Sequence, residues 1–434
     1  MRQFLYITPS FPPQARVGAL RPLKFCRYLE SYGWRPLVLA DLSVSDNTKE
    51  SLLRGLPESI PVVRNYSRRA AGAEKLFFNP PQNAGKAPWW KSLLPIWLRN
   101  ELHSRSYWWP NPELLPLGHH APDMPHALGA AESLLQSNPC QAVVVNADPW
   151  AGMLVGRRVA AKFGLPLILD LRDPWSVCEL RRPMRPWPQR KLVDIMERWC
   201  VSGARVVILN TEKARDDYRA HYPHLPPERF QCIRNHADPQ LLQLEPGERL
   251  RGEAFQALFF GNFRRFVDGH NVIDALRILK QRYGLSAQQF QLLVTGSLPH
   301  RSKKYAQKMG VLEYLADASY VPYTAAAPYL DSADLLLAFS NSSRQRVPAK
   351  VYDYLTTQRP IHVVADNPEI PAMLEGVAGV SFSSLTDVEG LADAMWQAYR
   401  RGPGVSVSRD ARAFFSEAAS AKLAGLLEHS IQSS

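Results

Sequence analysis

The densest chemistry in the chain is the stretch Asn341-Ser342-Ser343-Arg344-Gln345-Arg346-Val347-Pro348-Ala349-Lys350-Val351-Tyr352-Asp353-Tyr354-Leu355, which follows an apolar run at 335–339. Pro348 suits the first turn of a helix, where a missing N–H does no harm. Val347, Val351, Tyr354 and Leu355 then recur at helical spacing and mark a buried face. Arg344, Arg346 and Lys350 fall at the N-terminal end of this helix, where the dipole disfavours each cation by roughly 0.3–1 kcal/mol. Free backbone N–H groups at that end bind anions, so a diphosphate between the cations would offset the repulsion. Asp353, three residues beyond Lys350, lies on a nearby face. Its carboxylate suits two neighbouring hydroxyls, as a ribose presents. The alternative is a solvated basic loop before an amphipathic helix.

A second constellation, Ile168-Leu169-Asp170-Leu171-Arg172-Asp173-Pro174-Trp175, sets three charges directly after an apolar run. Charges at the carboxyl end of a buried strand point to where α/β sheets bind ligands. Asp170 and Asp173 are candidates for base or electrostatic stabiliser, with Arg172 fixing their charge state; a structural Asp–Arg pair is the alternative. Gly261-Asn262-Phe263-Arg264-Arg265 repeats the logic with a glycine and two arginines. The loop Pro9-Ser10-Phe11-Pro12-Pro13-Gln14-Ala15-Arg16-Val17-Gly18 ends on a glycine that would let backbone approach a ligand, or simply make a turn. It is no dinucleotide fingerprint, and no P-loop, G-x-S-x-G or H-E-x-x-H occurs. His119-His120 and the pair His221 and His224 read as surface histidines.

The elements that must position these groups alternate between short apolar runs and amphipathic stretches, the pattern of parallel βαβ units. Strands are expected at 4–8, 37–40, 142–146, 167–170 and 206–209, with a short one near Cys232. A second series is expected at 257–260, 292–295, 319–321, 335–339, 361–365 and 380–382. Helices are expected at 19–32, 151–163, 190–202, 272–283 and 347–357, with a last one at 409–430. Two series imply two doubly wound domains, 1–238 and 239–408, with Asn235 to Gly247 as linker and 409–434 as the C-terminal helix. Residues 65–125 interrupt the pattern with prolines and with Trp89, Trp90, Trp97, Tyr107, Trp108 and Trp109, apart from a short helix expected at 93–102. Tryptophans mixed with lysines and arginines suit a membrane interface or a flat amphipathic substrate; the alternative is a cap on the first domain's core.

With 434 residues, 46% hydrophobic and 21% charged, the chain has globular composition. The N-terminus turns polar and proline-rich too soon for a signal peptide, and no apolar run approaches bilayer-spanning length. A cytoplasmic protein is expected. Cys26, Cys140, Cys178, Cys200 and Cys232 are scattered without metal-site or disulfide spacing. The net charge of +12 attracts polyanions, with cations crowded at Arg64, Arg68, Arg69, Lys75, Lys86, Lys91, Arg99 and Arg105 and again from Arg181 to Lys191. No recognition motif supports nucleic acid as the partner.

On these segments the chain resembles glycosyltransferase family 4, retaining enzymes of bacterial polysaccharide and glycolipid synthesis. The resemblance rests on Tyr6-Ile7-Thr8-Pro9-Ser10-Phe11-Pro12-Pro13, Gly18-Ala19-Leu20-Arg21, Gly33-Trp34, Asp170-Leu171-Arg172-Asp173-Pro174-Trp175-Ser176, and Val347 to Leu355 with Arg359-Pro360-Ile361. It implies the GT-B fold: two Rossmann-like domains facing a cleft, with the C-terminal helix packing back toward the first. The first domain would bind the acceptor and the second the nucleotide-sugar donor. Asp353 would hold the donor ribose. Lys350 with Arg264 or Arg265 would neutralise the diphosphate leaving group, without a metal and without a cofactor; the absence of a D-x-D agrees. Gly18 would approach the phosphates or the sugar, and Gly296 with the Val321-Pro322-Tyr323 backbone would line the base pocket. Gly261, Asn262, Gln345, Val347, Pro348 and Ala349 complete the implied donor site.

The chain departs from the family where many relatives carry two glutamates eight positions apart: Gln345 and Asp353 stand there. Ala349 replaces a usual glycine, and Asp268 lies near a usual basic residue. The acceptor implied is a glycan or a lipid-linked molecule, with an anionic membrane surface as a further partner. A GT-B nucleotide-sugar epimerase or hydrolase, and a scaffold with a degenerate site, are the competing readings.

Overall fold

The computed structural model describes residues 1–14, 17–41, 50–67, 117–147, 149–248, 252–261, 270–296, 298–317, 321–340 and 343–432. The chain forms two compact units. The first comprises Met1–Asn210, Ala214–Ile233 and Ser420–Ser434, and the second Thr211–Lys213 and Arg234–Ala419. The first half runs β1 (Arg2–Ile7), α1 (Val17–Tyr28), β2 (Trp34–Ala40), β3 (Val62–Arg64), α2 (Met124–Ser137), β4 (Val143–Ala147), α3 (Ala151–Phe163), β5 (Leu167–Leu171), α4 (Trp187–Ser202), β6 (Val206–Leu209), α5 (Glu212–His221) and β7 (Phe230–Cys232).

These strands make a parallel sheet in the order β3-β2-β1-β4-β5-β6-β7. Phe4, Leu5, Tyr6 and Ile7 are all fully buried, as expected of a strand covered on both faces. Leu5 registers beside Leu37 on one side and Val143 on the other. The order therefore reverses at β1, and the crevice beyond the strand ends there is the favoured ligand position in such sheets. Asp170, further along, registers beside Asn146 and Ile208.

The second half runs β8 (Phe255–Phe259), α6 (His270–Tyr283), β9 (Phe290–Val294), α7 (His300–Lys308), β10 (Leu315–Asp317), α8 (Ala327–Ser332), β11 (Leu335–Phe339), α9 (Ala349–Tyr354), β12 (Ile361–Val364), α10 (Glu369–Met373), β13 (Val380–Ser383), α11 (Val388–Arg401) and α12 (Ser416–Gln432). Its parallel sheet has the order β10-β9-β8-β11-β12-β13, which reverses at β8. One core packs α6 and α11 against this sheet, and a second packs α8, α9 and α10. From Ser420 onward α12 belongs to the first unit, where the Glu428 carboxylate accepts a 3.0 Å hydrogen bond from Trp34 Nε1 and pairs with Arg2.

Several elements differ from their expected positions. The helix expected at 347–357 spans only Ala349–Tyr354, with Pro348 as its N-cap rather than inside its first turn. It stops because the hydroxyls of Thr356 and Thr357 donate to the carbonyls of Asp353 and Tyr354 at 2.6 and 3.0 Å, offering the backbone a local partner in place of a further turn. The strand expected at 319–321 lies at Leu315–Asp317, registered Leu315 to Leu292; residues 318–320 are outside the described set. The last helix starts at Ser416 rather than 409, because Asp410 accepts from the Arg412 N–H and holds a turn there. The helix expected at 93–102 and the tryptophans of the 65–125 stretch also lie outside the described residues. No described helix is long and apolar enough to cross a membrane.

Candidate functional site

In the second unit the chain leaves β8 through Phe260 and Gly261, beside β11 where the strand order reverses. Two hydroxyls pin this exit. Tyr354 Oη accepts from the Phe260 N–H at 2.9 Å while donating to the Leu337 carbonyl at 3.1 Å. Thr295 Oγ1 accepts from the Gly261 N–H at 3.1 Å. Gly261 adopts φ of 129°, a conformation that side chains rarely tolerate. A Cβ there would also stand 3.1 Å from Lys350 Nζ. The Lys350 ammonium in turn lies 3.6 Å from the centroid of the Phe259 ring, a cation–π contact that holds it at the strand end. Gly261 and Lys350, 89 positions apart, therefore meet.

Asp353 is buried at the far end of α9, and its Oδ1 accepts a 2.7 Å hydrogen bond from Tyr323 Oη. Burial and then the Asp353 carboxylate push the Tyr323 phenol well up, so it stays a donor. Pro322 caps the short turn Tyr323–Ala325, within the Val321-Pro322-Tyr323 segment whose backbone is expected to line a pocket, and Val321 is buried. Gly296 follows Thr295 at the end of β9. Gln345 is buried; its N–H donates to Ser343 Oγ at 3.3 Å, and its carbonyl accepts from Thr211 Oγ1 at 3.3 Å. Val347 packs in the core beside Val351 and Tyr354, while Arg344 is exposed. Asn262, Arg264 and Arg265 lie outside the described residues. Because α9 is only about one and a half turns long, its dipole is small.

The first unit holds its charges differently. Arg21, on α1, forms a two-pronged pair with Asp170: Nε to Oδ2 and Nη2 to Oδ1, both 2.8 Å. Both side chains are buried, and Asn146 Nδ2 adds a 3.4 Å contact to Oδ2. Burial alone would lower the Arg21 pKa, but Asp170 overrides it and raises it. Asp170 is thus paired with Arg21, where the sequence pointed to Arg172. Arg172 instead sits 3.5 Å from Asp173. A Cβ on Gly18 would come within 2.6 Å of Arg172 Nη1, so Gly18 makes room for this guanidinium at the start of α1.

Glu197, on α4, was not singled out in the sequence, because an acid on an amphipathic helix usually faces solvent. It is fully buried. It accepts from the Ser176 N–H at 3.1 Å, from Tyr222 Oη at 2.9 Å, and from the hydroxyls of Ser176 and Tyr218. Tyr218 Oη also accepts from the Trp175 N–H at 3.0 Å. This network fixes the loop that follows Asp173. No group of three His, Cys, Asp or Glu side chains among the described residues could hold a metal ion.

Residues 86–236 match the family model described as a glycosyl transferase 4-like domain, so that segment carries such a domain. A curated relative, alpha-maltose-1-phosphate synthase of Mycolicibacterium smegmatis, is 29% identical over 125 residues, which is 27% of this chain. The match spans about a third of that relative's length, at 30%. Among solved structures, sucrose-phosphate synthase from Thermosynechococcus elongatus is similar over 100% of both chains, with TM-score 0.63 and 12% identity. The lipopolysaccharide outer core galactosyltransferase WaaB matches over 99% of both chains, with TM-score 0.55 and 10% identity. UDP-GlcNAc 2-epimerase from Methanocaldococcus jannaschii matches 99% of this chain and 100% of its own, with TM-score 0.55 and 13% identity. The fold is therefore GT-B-like.

Proposed function

We propose that this chain, with its glycosyl transferase 4-like domain on a GT-B-like fold, is a glycosyltransferase that moves a sugar from a nucleotide-diphosphate sugar to a glycan or lipid-linked acceptor. The observation that carries this reading is the meeting of Lys350 with Gly261 at the strand-order reversal of the second unit. A cation held there by an aromatic ring can neutralise the diphosphate as the sugar leaves, and such charge stabilisation is the main catalytic contribution this chemistry needs. Arg264 or Arg265 would share that charge, and no metal is then required. Asp353, steadied by Tyr323, would accept from the donor ribose hydroxyls. Gln345, Val347, Pro348, Ala349, Gly296 and the Val321-Pro322-Tyr323 backbone would shape the rest of the donor site.

In the first unit Asp173 and Arg172 would face the acceptor and the transferred sugar near Gly18. Asp170 would act by anchoring Arg21. Retention of configuration is what the family resemblance implies. The chain would work in the cytoplasm, peripheral to the inner face of the membrane.

A thermal-shift series with UDP, GDP, ADP and their sugars tests the donor site. One nucleotide should raise the melting temperature, and Lys350→Ala and Asp353→Ala should each remove the shift. With the matching donor, Lys350→Ala should lower kcat/KM by about 10²–10³. No shift with any nucleotide would sink the reading in favour of a degenerate scaffold. Epimerised or hydrolysed sugar accumulating equally with and without acceptor would replace the transferase by the epimerase or hydrolase.

A further inference from the structure

Nine large apolar side chains are exposed among the described residues, and five of them lie within one 16-residue stretch: Met184, Trp187, Leu192, Ile195 and Trp199. Trp187 is 68% and Ile195 64% exposed. Four of the five are on α4, whose opposite face is firmly seated through Val193, Glu197, Cys200 and Val201. Apolar side chains scattered singly on a surface need no explanation, but a contiguous patch on a rigid helix marks an interaction surface.

The exposed charges on this face of α4 are cations. Lys191 and Arg198 are exposed on the same face of α4. From α3, Arg157 and Arg158 stand 5.4 and 5.9 Å from the Trp199 ring centroid. The two acids of α4 are turned to other work: Asp194 pairs with Arg182 at 2.7 Å, and Glu197 is buried. A second copy of the chain would bring these cations against their like across a two-fold contact. Lysine is also depleted from protein–protein interface cores. Tryptophan, leucine and isoleucine ringed by lysine and arginine match instead the boundary between hydrocarbon and anionic headgroups.

We propose that the outward face of α4, with Arg157 and Arg158 of α3, docks on an anionic phospholipid bilayer, Trp187, Leu192 and Ile195 entering the headgroup layer. This surface is built from residues of the first unit and the proposed donor residues belong to the second, and the proposal stands whether or not the chain transfers sugar.

Co-sedimentation of the full chain with vesicles tests it, comparing phosphatidylcholine alone with mixtures containing phosphatidylglycerol. Binding should require the anionic lipid. It should weaken between about 0.15 M and about 1 M salt, as the screening length shrinks from about 8 to about 3 Å. Lys191→Glu with Arg198→Glu should weaken it by about tenfold or more. Trp187→Ala with Ile195→Ser should weaken it by about tenfold at low salt. All four positions are exposed, so melting temperature and any nucleotide-induced shift should stay unchanged.

Equal binding by these variants, equal binding to neutral vesicles, or no binding at all would overturn the proposal. So would binding lost only in Trp108→Ala with Trp109→Ala, which would give the role to the 65–125 stretch. Concentration-dependent dimerisation abolished by Ile195→Glu would assign the face to a second copy.

Discussion

At the end of β5 the first unit buries Asp170 against the guanidinium of Arg21, both prongs at 2.8 Å. At the end of β8 the second unit lays Lys350 on the ring of Phe259 and steadies Asp353 with the hydroxyl of Tyr323. In the first case a full charge meets a full charge, which fixes geometry and cancels the field. In the second, a ring lies against the cation and a phenol donates to the carboxylate, and neither carries a full charge itself. A buried ion pair is costly to disturb once made. An aromatic face or a phenol holds a charged group in place for a ligand to use. The two units thus hold these charged groups in different ways.

The largest expected effect tests the first unit. Arg21→Met should lower the unfolding free energy by about 3–5 kcal/mol in denaturant titration, because it strands a buried carboxylate. Arg21→Met combined with Asp170→Leu should recover most of that loss. A single variant costing under about 1 kcal/mol would mean the pair anchors nothing and the contrast between the units fails.

A second measurement sharpens the contrast by following a neutral buried group in the second unit. His362 lies between β11 and β13, hydrogen-bonded to Ser381 and Ser383 at 2.8 and 2.9 Å. Burial lowers its pKa to about 4. Below its ordinary pKa of about 6.5 the unfolded chain takes up a proton that the folded imidazole refuses. Stability should therefore be flat above about pH 6.5 and fall by up to about 3 kcal/mol as the pH drops to about 4. His362→Gln should remove that slope, and an unchanged slope would show that other groups set it.

The smallest effect concerns the second unit. Tyr323→Phe removes one hydrogen bond to Asp353 and should cost about 1.5 kcal/mol of stability. It should also weaken nucleotide binding by about tenfold while Lys350→Ala removes it. If Tyr323→Phe and the wild type bind a nucleotide alike in calorimetry, the phenol does not orient Asp353 for a ligand.

Much of this fold is legible in the sequence. The apolar runs at 206–209 and 335–339 coincide with β6 and β11, and the helix expected at 151–163 is α3. Most other strands fall within a few residues of their expected positions, because strands buried on both faces must be apolar throughout. The strand Val62–Arg64 was missed since it is a short, half-buried edge with no apolar run. The helix Met124–Ser137 was hidden by the irregular stretch before it.

The chain by itself determined that two series of parallel units would form and that charged loops would follow the strands, because hydrophobic periodicity is a local property. It also placed Lys350 and Asp353 among the chemistry-bearing residues. Only the tertiary structure decided which charges meet. Arg21 and Asp170 are 149 positions apart, and Tyr323 and Asp353 are 30 apart, so no local spacing announces either partnership. Glu197 shows the same limit: its position on a helix suggested solvent, yet packing turned it inward to four donors. Periodicity tells which face is apolar, whereas the pairing of polar groups depends on which faces are brought together.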